Sequence, residues 1–296
     1  MNANTICMGD NEQQVGITFW GVRGSTPCAN KENMKYGGNT TCVQIHIPDS
    51  DKILILDSGT GIRRLGNELI GEPGKVSGRI FITHPHWDHI QGFPFFKPIY
   101  GSKNNFEIHM PEQTNGESCK DILSGHLTKT FFPITLDMID ANLEYTTQPP
   151  QRTQYEGFDV EYMFANHTIK TAIYKIHVGG KQIVFCPDNE LNPSIEDADD
   201  EFYRKLRKFF KGVDLLIHDG QYNLESYESK RGWGHSAWEK VVGFAAYSKV
   251  ERLFLTHHDP DSGDEKLTEL DERLDLEYGQ LFTSIGLAKE GKRISF

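Results

Sequence analysis

Residues 79–96 read RIFITHPHWDHIQGFPFF, and the architecture of the chain follows from this segment. The apolar run 79–83 predicts a buried strand, and the apolar residues after position 89 predict a helix or turn packed close behind it. Directly after the strand come four possible metal ligands within six residues: His84, His86, Asp88 and His89. The sequence therefore places a candidate metal site at a strand end.

The spacing inside this cluster indicates ligands for two metals. In an extended segment His84 and His86 point to the same side, whereas Asp88 and the adjacent His89 point elsewhere. The alternative is a polar loop that merely contains histidines. Three histidines and an aspartate so close together are typical of metal ligation, so we favour the metal site.

Length and composition describe an ordinary globular chain of 296 residues. A hydrophobic fraction of 37%, with 18 Phe and 11 Tyr, is enough for a sizeable core, and no apolar run approaches a membrane span. The start, MNANTICMGDNEQQVG, lacks both a basic region and an apolar region of a secretory signal. We predict a flexible tail over residues 1–15, one domain over 16–296, and a cytoplasmic location.

The cysteines and the charge exclude some classes of protein. Five scattered cysteines, none in a CxxC spacing, indicate reduced thiols in the core: Cys7, Cys28, Cys42, Cys119 and Cys186. A net charge of −11 argues against a long nucleic acid as partner, but not against a small anion held by metals. The basic cluster in 204–211 has helical spacing, and we interpret it as a solvated helix face; the alternative is a nucleic-acid patch.

Apolar runs predict strands followed by helices in both halves of the chain. Strands are predicted at 16–20, 42–48, 52–57, 79–83, 106–110, 143–146, 159–164, 171–178, 181–186, 215–218 and 252–256, and helices at 62–69, 119–129, 201–210, 237–248 and 265–275. Because no linker separates the two halves, this order of strands and helices indicates two packed sheets with outer helices. The long loop 21–41 is expected to be functional, and the segment around 100–155 to be a lid or a partner contact.

Three further metal-type residues follow apolar runs: His167, Asp188 and His257. A two-metal site needs about seven ligands, one of them a carboxylate that bridges ions about 3.5–4 Å apart. We predict one ion on His84, His86 and His167, a second on Asp88, His89 and His257, and Asp188 between them. Each of the three later residues has an alternative as an ordinary surface or capping residue. His258 is the alternative ligand to His257, or it supports the site or caps the loop that follows.

The motif HPHWDH at 84–89 matches the HxHxDH loop of the metallo-β-lactamase superfamily, and the resemblance covers nearly the whole chain. Asp57 in ILDSGTG resembles the aspartate that lies beneath the metals in that family, and His167, Asp188 and His257 resemble its later ligand motifs. The resemblance implies an α/β fold, an αββα four-layer sandwich of two mixed sheets with outer helices. It also implies a hydrolase with two zinc ions, or manganese or iron, and a homodimer.

Within the superfamily, four segments resemble the phosphodiesterases related to ribonuclease Z and to cyclic-nucleotide phosphodiesterases: FWGVRGSTP, YGGNTTC, ILDSGTGIRRLG and HWDHIQGFPFF. Asp219 in LLIHDG and His235 in GWGHSAWE resemble that branch's acidic and histidine motifs. A histidine held by a carboxylate can give the departing oxygen its proton. The alternative for His235 is a helix N-terminal residue, with Ser236 as the cap. The residues after His167 depart from the family's small residues, which could alter the pocket wall around Lys170.

These observations predict a phosphodiesterase in which a metal-bridging hydroxide attacks the substrate, with Asp88, His235 and Asp219 as catalytic residues. We expect a small phosphodiester, a 3′,5′-cyclic nucleotide, because the chain is acidic and has no obvious basic arm. The alternatives are a ribonuclease Z-like RNA-processing endonuclease, an ester or lactone hydrolase, and a metal-binding sensor without catalysis.

Overall fold

The structure, a computed structural model, describes residues 14–70, 75–147, 150–191 and 200–296. Most of the predicted tail, residues 1–13 with Cys7, lies outside the described residues. The strands are β1 (Gly16–Gly21), β2 (Cys42–His46), β3 (Ile53–Leu56), β4 (Ser77–Phe81), β5 (Asn105–His109), β6 (Asn142–Thr146), β7 (Thr153–Tyr155), β8 (Phe158–Phe164), β9 (Ala172–Val178), β10 (Lys181–Cys186), β11 (Leu215–Asp219), β12 (Arg252–Thr256), β13 (Ser284–Leu287) and β14 (Arg293–Ser295).

The helices are α1 (Ile62–Ile70), α2 (Trp87–Ile90), α3 (Cys119–His126), α4 (Glu201–Phe210), α5 (Leu224–Tyr227), α6 (Trp238–Tyr247) and α7 (Asp264–Tyr278). Short 3₁₀ turns occur at Lys31–Asn33, Phe93–Phe95, Lys97–Tyr100, Leu136–Met138, Glu228–Lys230 and Gly279–Leu281. Among the described residues, no helix combines the length and the apolar character needed to cross a membrane.

The described strands form two mixed sheets of seven. The first has the order β14-β1-β2-β3-β4-β5-β6, and the second has the order β13-β12-β11-β10-β9-β8-β7. In the first sheet β3 to β6 are parallel, and in the second β10 to β13 are parallel. The remaining neighbours pair antiparallel.

Both faces of each sheet are covered, which explains why the central strands are continuous apolar runs. In β3, Leu54 and Leu56 belong to the core between the sheets, whereas Ile53 and Ile55 pack on the other face with α1. The second sheet repeats the pattern, with helices α4, α6 and α7 over its outer face. The result is the αββα sandwich that the sequence predicts.

The strand directions place the loops that carry the candidate ligands at one edge of the sandwich. The segments that carry the candidate ligands follow the carboxyl ends of β4, β8, β10 and β12, and the loop 22–41 follows the end of β1. These strands run in one direction within each sheet, so their ends meet at the same rim. Ligands in α/β sheets commonly bind beyond such carboxyl ends.

Several predicted elements differ from the observed ones. The sequence prediction ended the chain with a helix at 265–275, but α7 is longer and two strands follow it, β13 and β14. Strand β4 ends at Phe81 instead of Thr83, because the amide of Thr83 donates to Asp57. The alternative interpretation, in which Ser236 caps a helix, is wrong: Ala237 is the N-cap of α6, and the Ser236 hydroxyl donates to the carbonyl of Asn189 instead.

The segment 100–155 is built into the sheet edges. It supplies β5 and β6 to the first sheet, with α3 between them in the chain, and β7 to the edge of the second sheet. Phe131, on the loop after α3, is 80% exposed. A lid or partner contact formed by this segment stays a prediction.

Candidate metal centre

A buried aspartate organises the loop between β4 and α2. Asp57 follows β3 with φ +61°, a left-handed conformation that Asp tolerates better than most residues. Its Oδ1 accepts the amide of Thr83 at 2.7 Å, and its Oδ2 accepts Nδ1–H of His89 at 2.7 Å. Because Nδ1 of His89 faces Asp57, Nε2 is the nitrogen that points into the candidate site, towards Asp88 and Asp188.

Three histidine nitrogens converge at the first half of the site. Nδ1 of His86 lies 2.9 Å from Nε2 of His84 and 3.2 Å from Nε2 of His167. Nδ1–H of His167 donates to the carbonyl of Gly234, so its Nε2 also has a free lone pair. Two nitrogens bound at about 2.05 Å to a tetrahedral ion are about 3.3 Å apart, so this spacing suits metal ligands.

The second half of the site contains Asp88, His89 and His257. Oδ2 of Asp88 lies 3.0 Å from Nε2 of His257 and 3.3 Å from Nε2 of His89. All three residues are buried, and their ligand atoms lie within 4.8 Å of one another.

Asp188 lies between the two halves and offers one oxygen to each. Its Oδ1 is 3.2 Å from Nε2 of His89 and 3.3 Å from Nε2 of His257. Its Oδ2 is 3.7 Å from Nε2 of both His84 and His167. This is the arrangement expected of a carboxylate that bridges two ions.

Unpaired buried atoms show that the donor set fits divalent metals. Within the described part of the chain, Nε2 of His89 and Oδ1 of Asp188 are buried without a hydrogen-bond partner. A buried polar atom without a partner is costly, and metal coordination would satisfy both atoms. Imidazole nitrogens and carboxylate oxygens are ligands for zinc, manganese and iron alike.

The electrostatics of the two halves differ. Burial, together with the neighbouring His167, lowers the pKa of His86 to about 4, so its nitrogen stays unprotonated at neutral pH. Burial is the largest single influence on the pKa of His89, and it acts to lower this pKa. The charges of Asp88, Asp188 and Asp57 together outweigh burial and raise the pKa of His89 well above the usual range. The negative charge is thus concentrated where His89 meets these three aspartates, and a cation would be held most strongly there.

His235 lies beside this cluster and is held by Asp219. Nδ1–H of His235 donates to Oδ2 of Asp219 at 3.0 Å, and its ring stacks on that of His257 with centroids 4.8 Å apart. Burial opposes protonation of His235, but Asp219 foremost, then Asp188 and Asp88, raise its pKa to about 9. The pair therefore places a proton donor next to Asp188.

The structure adds supporting residues that the sequence analysis did not name. The amide of Ser25, in the loop predicted to be functional, donates to Oδ2 of Asp88 at 2.8 Å. The buried carboxylate of Glu190 accepts from the amides of Gly232 and Gly234 and from the hydroxyl of Tyr227. The position of Glu190 two residues after Asp188 is the only signal in the sequence that could have pointed to it.

Two glycines allow the histidines to approach the backbone. A Cβ on Gly24 would lie 2.1 Å from Nδ1 of His257, and a Cβ on Gly234 would lie 2.1 Å from Nδ1 of His167. Gly234 also has φ +87°, which disfavours other residues. Both positions therefore require glycine.

The structure brings all the predicted site residues to one place, and it separates His258 from them. Nε2 of His258 donates to the carbonyl of Ala288 at 2.8 Å, so this side chain ties the C-terminal segment to the rim instead of joining the cluster. Lys170 is exposed. The roles of the clustered residues stay predictions.

Comparison with known proteins agrees with the fold. Residues 53–258 match the family model described as the beta-lactamase superfamily domain. A ribonuclease Z of Prochlorococcus marinus (strain NATL2A) is 24% identical over 284 residues, covering 82% of this chain and 87% of that protein.

Two solved structures share the fold. The metallo-beta-lactamase fold protein YhfI from Bacillus subtilis has a TM-score of 0.67 at 18% identity, covering 96% of this chain and 100% of that one. A diphosphatase from the PhnP family has a TM-score of 0.63 at 18% identity, covering 96% of this chain and 98% of that one. The chain belongs to the metallo-β-lactamase superfamily, and it is a metal-dependent hydrolase.

Proposed function

We propose that this protein is a phosphodiesterase with two divalent metals, and that its substrate is a small phosphodiester. The observation that carries the proposal is Asp188, which offers one oxygen to each half of a seven-residue donor set, with the pair of His235 and Asp219 directly beside it. Bound metals would supply Lewis-acid activation of the phosphoryl group and would lower the pKa of an attacking water.

The chain's own residues would divide the remaining work. His84, His86 and His167 would hold one metal, Asp88, His89 and His257 the other, and Asp188 both. Asp57 would fix the tautomer of His89, as its hydrogen bond indicates. Asp88 is held by the amide of Ser25, which would keep its carboxylate oriented towards the reacting centre.

His235 would donate a proton to the leaving group. A phosphodiester releases an alkoxide-like oxygen that needs a proton, and a protonated imidazole can supply it. Asp219 would hold the ring by Nδ1–H and favour its protonated form. Transfer to the departing oxygen would therefore come from Nε2. An ester or lactone hydrolase would have less use for this pair, which disfavours that alternative.

Among phosphodiesters we favour a 3′,5′-cyclic nucleotide. The net charge of −11 is unfavourable for a long RNA, which needs many Lys and Arg contacts to its phosphates. The likeness to a diphosphatase of the PhnP family agrees with a small substrate.

The second candidate is an RNA-processing endonuclease, and one observation favours it. The chain aligns over 82% of its length with a protein named ribonuclease Z. The comparisons support this candidate as well as the small-substrate one, and only the charge of the chain separates them.

A substrate panel tests the proposal. Protein loaded with zinc or manganese would be assayed on cyclic mononucleotides, a transfer-RNA precursor, a lactone and a carboxylic ester, with Asp88→Ala as the inactive control. We expect hydrolysis of a cyclic nucleotide and little cleavage of the RNA. Rapid cleavage of the RNA alone would replace the first candidate with the second, and turnover of lactones or carboxylic esters alone would contradict both.

A further inference from the structure

The four tryptophans of the chain fall into two groups. Trp20 and Trp238 are buried, with 5% and 4% of their surface exposed, whereas Trp87 is 76% and Trp233 is 60% exposed. Tryptophan is highly buried on average, so two such indoles on one surface call for a physical reason.

Both exposed tryptophans are chain neighbours of residues at the same part of the candidate metal centre. Trp87 follows His86 directly, and Trp233 precedes Gly234, whose carbonyl accepts the hydrogen bond from His167. Nδ1 of His86 and Nε2 of His167 are 3.2 Å apart, so the two indoles are attached to neighbouring parts of the site. They come from different halves of the fold, one after β4 and the other between α5 and α6.

This edge is also where the centre is least buried. Of the seven candidate ligands, only His86 and His167 are not fully buried as residues. The imidazole of His167 is only 1% exposed, so the exposed part of this residue is its backbone. We therefore place the opening of the metal centre to solvent over His86. A substrate whose phosphate reaches the metals would leave its organic group at this opening, next to both tryptophans.

The backbone that carries both indoles is held in place. Trp87 is the first residue of α2, the helix that also carries Asp88 and His89. The amides on either side of Trp233, those of Gly232 and Gly234, donate to the buried carboxylate of Glu190 at 2.9 and 3.0 Å. A rigid aromatic side chain offers a large contact area at low entropic cost.

We infer that Trp87 and Trp233 form a clamp that stacks on an aromatic ring of the substrate, a nucleobase next to the phosphodiester. The inference rests on the proposed function and refines it: the substrate is a nucleoside phosphodiester with one recognised base. Stacking on an aromatic side chain tolerates every base and needs no basic groove, which agrees with the acidic chain.

The first test compares two substrates with the same leaving group: thymidine 5′-(p-nitrophenyl phosphate) and methyl p-nitrophenyl phosphate. We expect Trp87→Leu and Trp233→Leu each to lower the ratio of kcat/KM for the nucleoside ester to that for the methyl ester by about 5- to 150-fold, chiefly through KM. Tyr247→Leu is the matched control, since Tyr247 is 59% exposed at the far end of α6 from His235. Its ratio should equal that of the unmodified protein.

The second test measures binding without turnover. Metal-loaded protein would be titrated with adenosine 5′-monophosphate and with ribose 5-phosphate, which lacks the base, while tryptophan fluorescence is recorded. The clamp predicts quenching by the nucleotide alone, reduced in each tryptophan variant.

The outcomes separate this inference from the proposed function. If both esters are hydrolysed and the tryptophan variants leave the ratio unchanged, the clamp is wrong and the phosphodiesterase stands. A change in oligomeric state with an unchanged ratio would show that the indoles contact a second copy, which also overturns the clamp. If neither ester is hydrolysed, the proposed function fails, and the binding test alone decides on the clamp. Quenching by the nucleotide but not by ribose 5-phosphate would then support the clamp, and equal quenching by both or by neither would overturn it.

Discussion

Nδ1 of His89 lies 2.7 Å from Oδ2 of Asp57, and both side chains are fully buried. This contact fixes which nitrogen of His89 is free to bind a metal. Residues that support a metal ligand in this way typically change metal affinity by about 10- to 100-fold when they are replaced. The loop at 84–89 therefore depends on a residue that directly follows the neighbouring strand β3.

Replacing Asp57 with Asn should weaken metal binding while the fold is retained. Asn tolerates the left-handed backbone conformation at this position, so φ +61° remains accessible. The amide cannot accept from both Thr83 and His89 as the carboxylate does. We expect an affinity loss of about 10- to 100-fold in a chelator competition. Unchanged affinity would mean that the tautomer of His89 is fixed in another way.

Replacing Asp88 and His235 should have separable effects. Asp88→Ala should abolish turnover and release metal, because its oxygen faces both His89 and His257. His235→Ala should keep the metal content and lower turnover by about 10²- to 10⁴-fold. Metal analysis and kinetics on the same samples check this, and equal metal loss in both variants would contradict the division of roles.

The role of His235 as proton donor can be tested with leaving groups. A nitrophenolate departs without a proton, whereas an alkoxide does not. His235→Ala should therefore lose far more activity on an alkyl phosphodiester than on a nitrophenyl one. If the loss is the same for both, His235 acts by binding the phosphate instead.

Glu190 should stabilise the loop that carries His235. Its carboxylate accepts from two loop amides and one hydroxyl, and an alanine would leave these buried donors unpaired. We expect Glu190→Ala to lower the free energy of unfolding by about 1–3 kcal/mol and to speed hydrogen exchange at Gly232 and Gly234. Glu225→Ala, on the exposed side of α5, is the control. Unchanged exchange at both glycines would show that the loop is held by other contacts.

Acid sensitivity should depend in part on His46, which lies at the end of β2 away from the metal centre. Burial first, then the charge of Arg293, lowers its pKa from 6.5 to about 4. The unfolded chain therefore takes up the proton first as the pH falls, and stability is lost between pH 6.5 and 4. In His46→Gln the free energy of unfolding should fall less steeply over this range, by at most about 1.4 kcal/mol per pH unit. Parallel pH curves for the two proteins would contradict this.

The sequence predicted the sandwich because its signals are local. The apolar run of β4 and the ligand spacing after it are visible within 18 residues. His167, Asp188 and His257 could be placed because each begins a loop after an apolar strand. The structure brings them together as the topology requires.

The supporting contacts could not be predicted, since they join distant parts of the chain. The guanidinium of Arg23 is fully buried and donates to the carbonyls of Asp259 and Ser262, more than 230 residues away. The last two strands were missed because β13 and β14 are short, at four and three residues. Ser236 looked like a helix cap by position, but its buried hydroxyl has a partner in Asn189.

Metal titration with simultaneous activity measurement tests the proposed two-metal phosphodiesterase. Protein stripped with a chelator would receive zinc or manganese in steps while hydrolysis of bis(p-nitrophenyl) phosphate is followed. We predict that activity rises to a plateau at about two equivalents, the number expected from the position of Asp188 between the two halves of the site. No phosphodiester hydrolysis at saturating metal, or a plateau at one equivalent, would contradict the account.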